Sequence, residues 1–181
     1  MLPVYLYGSP ILRKKAKEIG LNYPELQTLI DEMFLTLEKA EGVGLAAPQI
    51  GLSLRLFIVN TKPFKETYPE TEEVKMVFIN PIVEEEFGDP FTFNEGCLSV
   101  PEIRESVVRK SKIKVTYTDA EGKRKTEDFD GLLARVIQHE YDHLEGLIFT
   151  DRLSSIKKMI IRKRLNDIEN GKAKPKYKSK L

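Results

Sequence analysis

The sequence predicts an α+β fold, with antiparallel or mixed sheets packed around one central helix and a further helix towards each end. Three observations carry that expectation. Short β-branched and aromatic runs follow one another in hairpin-like succession through the middle of the chain. Stretches with apolar residues three and four apart lie on both sides of them. The 181 residues suffice for one sizeable core, and no linker or internal repeat divides them.

In chain order, Leu26, Leu29, Ile30, Met33, Phe34 and Leu37 form one stripe of a helix predicted over 24–41, and Pro24 suits its first turn. Gly42 and Gly44 stop that helix. The small residues of 42–50 then read as a loop where backbone can approach a ligand closely. Strands are predicted over 54–60 and 76–83. Residues 112–118 alternate polar groups with Ile113, Val115 and Tyr117; with the turn at 119–122 and a second polar strand they form a hairpin with one wet face. Asp130 stands where it can cap a helix over 131–144, and Gly146 lies just past its end. A last amphipathic helix over 154–169 presents Ile156, Ile160, Ile161, Leu165 and Ile168.

Composition removes whole classes. Every apolar run is far shorter than the roughly 18 residues of a membrane span. The first ten residues lack the basic start and apolar stretch of a secretory signal. A lone cysteine excludes an internal disulfide framework, so a soluble, cytoplasmic protein is expected. The formal charge of +1 hides an asymmetry: residues 1–150 carry 18 basic and 25 acidic side chains, residues 151–181 carry 11 and 3. The basic end reads either as a solvated helix with a flexible tail at 171–181, or as an electrostatic docking element for a polyanion such as RNA. Tyr177 is the only aromatic among these basic residues, so base stacking adds little.

The two histidines of the chain, His139 and His143, bracket Glu140, Tyr141 and Asp142. Four residues on a helix is just over one turn, so both imidazoles leave one face and can share a metal ion. Glu140 is rotated about 100° from His139, beside such an ion without being forced to bind it, where a carboxylate can take a proton from water. A catalytic site also needs a third protein ligand. The histidine found six residues after the second His in one group of such enzymes is Phe149 here. The downstream acid used by another group could only be Asp167 or Glu169, on a strongly basic stretch, and that option would make the protein a zinc peptidase. Cys97, between Gly96 and Pro101 in what reads as a constrained loop, is the remaining candidate. A thiolate with two imidazoles suits Fe(II), Zn(II) and similar ions.

Three segments, 42–49 (GVGLAAPQ), 95–99 (EGCLS) and 138–143 (QHEYDH), occur together in an order that resembles the peptide deformylases. The resemblance covers essentially the whole chain. It implies a metallohydrolase that removes the N-formyl group from the N-terminal formyl-methionine of nascent proteins and releases formate. Cys97, His139 and His143 would hold one divalent metal, usually Fe(II), with Zn, Ni or Co as substitutes. Glu140 would be general base and acid, and the Gln49 side chain and Leu98 backbone N–H would meet the oxyanion. Gly44 and Gly96 would lie along the substrate, with Val43, Leu132 and Val136 around the methionine side chain. Arg135 departs from the aliphatic residue usual there; its stem would line that pocket while its head reaches water. The resemblance also implies ribosome docking through 151–181. Residues 1–170 are expected to be the catalytic domain. A non-catalytic RNA-associated protein remains the rival from a different class.

Overall fold

The computed structural model describes residues 1–20 and 22–181. A five-stranded antiparallel sheet runs in the order β2 (Gly44–Ala46), β3 (Leu56–Asn60), β4 (Lys75–Cys97), β5 (Val100–Thr118), β6 (Arg124–Asp130). Three helices surround it: α1 (Leu26–Lys39), α2 (Gly131–Leu144) and α3 (Ser155–Glu169). A two-stranded parallel pair joins the ends of the chain, β1 (Val4–Tyr5) with β7 (Ser179–Lys180).

Helix α2 lies on the sheet. Its Ala134, Val136, Ile137 and Leu144 share a core with Phe57, Val59, Phe78, Ile113, Val115, Tyr117 and Phe129. Phe78 is the hub of that core, stacked on Phe57 at 4.6 Å and tilted against Tyr117 at 4.4 Å between ring centroids. Helix α1 closes a second core with Leu45, Leu56 and Ile58, and α3 closes a third with Val100, Ile103 and Phe149. Each fully buried aliphatic side chain contributes about 1.5–3 kcal/mol relative to exposure, so three separate cores hold the sheet from both sides.

Several expectations change at the boundaries. Helix α1 begins two residues after Pro24, behind Glu25, whose φ of 56° is not helical. Asp130 occupies the first cap of α2 in extended conformation, but its side chain accepts no capping hydrogen bond. The apolar stripe of α3 splits: Ile161, Leu165 and Ile168 are buried, whereas Ile156, Ile160 and Met159 face outward.

The largest change is in β4 and β5, which continue far beyond the strands read from periodicity, over 84–97 and 100–111. Register shifts at Val83/Glu85 and Phe87/Pro90 absorb the acidic run and Pro90 as bulges. The basic residues 171–181 run along the body, with β7 paired to β1. Val4 N–H donates to the Lys178 carbonyl at 2.9 Å and Leu6 N–H to that of Lys180 at 2.8 Å. Among the described residues, no helix is long and apolar enough to cross a membrane.

Candidate active site

The end of the long hairpin meets the face of α2. Cys97 is the last residue of β4, pairs with Val100, and leaves Leu98 and Ser99 as a two-residue turn; the constrained loop expected around it is this hairpin end. His143 Nε2 stands 3.3 Å from Cys97 Sγ, and the rings of His139 and His143 meet edge to face at 5.3 Å. One potential ligand atom from each of Cys97, His139 and His143 lies within 4.8 Å of the others, the single such group among the described residues. Asp167 instead pairs with Lys172 and Glu169 is exposed on α3, so neither acid supplies a third donor.

His139 Nδ1 lies 2.9 Å from Glu95 Oε2. The carboxylate accepts from Nδ1–H, so Nε2 is the ring atom that faces the cluster. Glu140 is buried, with Oε2 partnerless. Its carboxyl lies so close to Gly44 that a Cβ there would meet Glu140 Cδ at 2.7 Å, which explains the glycine. Burial pushes the Glu140 carboxyl up to about 7, against the pull of the two imidazoles. Burial would raise the Cys97 thiol too, but the charge of His143 and the hydrogen bonds from both histidines outweigh it and bring it down to about 5. A sulfur poised to ionise, two imidazoles and an unpartnered carboxylate converge on one point: a fitting set for a soft or borderline divalent cation.

Gln49 sits in a short 3-10 turn, Ala47–Ile50, after β2. Its Oε1 accepts the Ala46 N–H at 2.8 Å, which turns the amide nitrogen towards Ser99 Oγ at 3.2 Å and Cys97 Sγ at 3.5 Å. The donor end of the side chain therefore faces the cluster. Val43 packs against the core that contains Val136, Gly96 pairs with Arg104 in the hairpin, and Leu132 is half-buried in the first turn of α2.

A buried ion network underlies the cluster. Arg109 donates to both Glu95 oxygens, at 2.7 and 2.9 Å, and to Asp142 at 2.7 Å, while Arg152 grips Asp142 twice at 2.6 Å. Burial works against a charged Glu95, but Arg109 and His139 outweigh it and hold the carboxyl well below the usual range. Arg135 corrects the sequence expectation. It is 2% exposed, with its head bonded to Glu95 Oε1 at 2.8 Å and to the Val107 and Phe91 carbonyls, because the long hairpin covers the place where water was expected. Sequence reasoning missed the whole network. A signal existed: Arg109 falls in step with Val107, Ile113, Val115 and Tyr117, on the inward side of β5.

Fold and site together define a class: an α+β metallohydrolase, with a Cys-His-His donor set at the junction of a hairpin and a helix and a carboxylate buried beside it. The family model described as polypeptide deformylase matches residues 1–159. A peptide deformylase of Christiangramia forsetii is 48% identical, over 100% of this chain and 96% of that protein. Among solved structures, peptide deformylase 1B of Arabidopsis thaliana superposes with a TM-score of 0.84 at 37% identity, covering 94% of this chain and 91% of that one. A peptide deformylase from Legionella pneumophila gives 0.83 at 39% identity, covering 96% and 98%. The chain belongs to the polypeptide deformylase family.

Proposed function

We propose that this protein removes the N-formyl group from the N-terminal formyl-methionine of nascent chains, with Cys97, His139 and His143 as metal ligands and Glu140 as the proton carrier. The observation that carries the assignment is the partnerless, buried Glu140 carboxyl set against three converging donors. A divalent metal held by Cys97, His139 and His143 would supply Lewis acidity and would lower the pKa of water towards 7. Fe(II) suits the thiolate–imidazole set, and Zn, Ni and Co are expected substitutes.

Glu140 takes a proton from the attacking water and passes it to the leaving amine, which is otherwise too basic to depart. Burial favours the protonated form of this carboxyl, the form that delivers the proton to the amine. The Gln49 amide, aimed by its bond to the Ala46 N–H, donates to the oxygen that gains charge, and the Leu98 N–H donates beside it. One donor of this kind is worth roughly 3–4 kcal/mol of transition-state stabilisation. Gly44 leaves room for the Glu140 carboxyl, which a Cβ there would meet; a formyl group carries only hydrogen beyond its carbonyl, so a site this tight would exclude larger acyl groups. Gly96 lies along the substrate backbone, and Val43, Leu132 and Val136 line the methionine side chain. The reaction implies a cytoplasmic site of action. The basic residues of 151–181, most of them exposed on α3 and the tail, are a candidate ribosome-docking element whose binding should weaken steeply with salt.

The test is formate release from a formyl-Met tripeptide by protein loaded anaerobically with ferrous iron, beside an acetyl-Met control. Glu140→Ala should keep metal content near normal and lose nearly all turnover. Retention of more than a tenth of wild-type activity would overturn the assignment of Glu140.

A further inference from the structure

The last residues of the chain reach the turn that carries Leu98. Along 172–178 the side chains alternate: Lys172, Lys174, Lys176 and Lys178 are exposed, and Ala173, Pro175 and Tyr177 are half-buried against the body. Tyr177 ends this inward row two residues before β7 begins, and the pairing of β7 with β1 fixes where the segment runs. The Tyr177 hydroxyl donates to the Leu98 carbonyl at 2.5 Å, across 79 positions of sequence. On the next residue, the Ser99 carbonyl accepts the Tyr7 N–H at 2.7 Å.

Leu98 is also fixed through its side chain. It packs against the core closed by α1, so near Gly42 that a Cβ on that glycine would meet Leu98 Cδ1 at 3.0 Å. The Leu98 N–H turns with the Cys97–Leu98 peptide plane, and Cys97 anchors that plane from its other side through its ladder pairing with Val100. The contact from Tyr177 therefore limits the rotation of Leu98 that would swing its N–H away.

We propose that Tyr177 is a positioning residue for the reaction: its hydroxyl, brought in by the docked C-terminal segment, holds the Leu98 turn so that the Leu98 N–H stays aimed at the formyl oxygen. This rests on the reading above that the Leu98 N–H is an oxyanion donor. The role is to aim a donor in the transition state, so it acts on kcat and leaves substrate affinity alone.

The experiment compares full-length wild type, Tyr177→Phe and Lys176→Ala, the last altering a solvent-facing neighbour on the same segment. In Tyr177→Phe, kcat for the formyl-Met tripeptide should fall about fivefold, the factor expected from one lost hydrogen bond. KM and bound metal per chain should match wild type, the thermal midpoint should fall by no more than about 2–4 °C, and Lys176→Ala should match wild type throughout. Amide exchange in the metal-free proteins gives a second readout: peptides spanning 97–100 should exchange about fivefold faster in Tyr177→Phe alone. An unchanged kcat in Tyr177→Phe, or an equal fall in Lys176→Ala, would overturn the proposal. So would a fall in activity that follows lost metal. Inactive wild-type protein would instead overturn the deformylase reading itself.

Discussion

On one side of α2, Ala134, Ile137 and Leu144 rest against Phe57, Phe78 and Tyr117; on the other, Arg135, His139 and Asp142 engage Glu95 and Arg109. The apolar side is held by contact area, which is non-directional, so it fixes the depth of the helix without fixing the aim of any one group. The ionic side is directional. Each Glu95 oxygen receives an arginine nitrogen, and one also receives His139, so the rotation of the imidazole is set by a chain of bonds running to the solvent-facing Arg152. The difference separates two tasks on one helix: adhesion to the sheet, and orientation of the ligands.

That contrast breaks most visibly at Arg109. Arg109→Ala leaves buried Glu95 with only Arg135 and His139, and Asp142 with only Arg152, and should cost about 3–5 kcal/mol in urea unfolding. Next is Glu95→Gln, which keeps the shape but weakens the grip on His139. Metal affinity, measured by competition with a chelator, should fall about 10–100-fold. On the apolar side, Phe78→Leu should lower stability by about 1 kcal/mol in the same urea assay, with kcat per bound metal unchanged. If Phe78→Leu altered kcat as Glu95→Gln does, the division between the two sides would be lost.

The smallest expected effect is in pH dependence. Burial, together with the hydrogen bond to Glu127, pushes the Tyr117 phenol up from its ordinary value. The unfolded chain therefore releases that proton first. The stabilisation is complete below about pH 10 and is lost as pH rises from there through the higher folded value. Tyr117→Phe should flatten stability against pH in that range, read from thermal midpoints between pH 8 and 11.

The site was legible in the sequence where chemistry and spacing coincide. His139 and His143 are one turn apart on a helix whose periodicity is plain, and Cys97 is the one thiol available. The supporting network was not legible, because Glu95 and Arg109 acquire their meaning only when the hairpin brings residues 14 apart together. The extensions of β4 and β5 escaped for a related reason. Strand periodicity is a record of burial, and along 84–94, where Phe87 stands opposite Lys112 and Pro90 opposite Lys110, the side chains are half-buried or exposed, so no apolar alternation marks the ladder. In the C-terminal segment the inward row of Ala173, Pro175 and Tyr177 is too short to stand out among the lysines, and becomes legible only once β1 offers an edge to β7.

The long hairpin has a kinetic consequence. Its ladder starts at a two-residue turn, so pairing can spread from Cys97 and Val100 outward to Ile79 and Thr118 without closing a large loop. Hairpin closure of this kind takes on the order of 1–10 μs, whereas docking a distant helix waits on more of the chain. The thiol is then an early fixture of the folding protein, and the histidines arrive at a sulfur already in place.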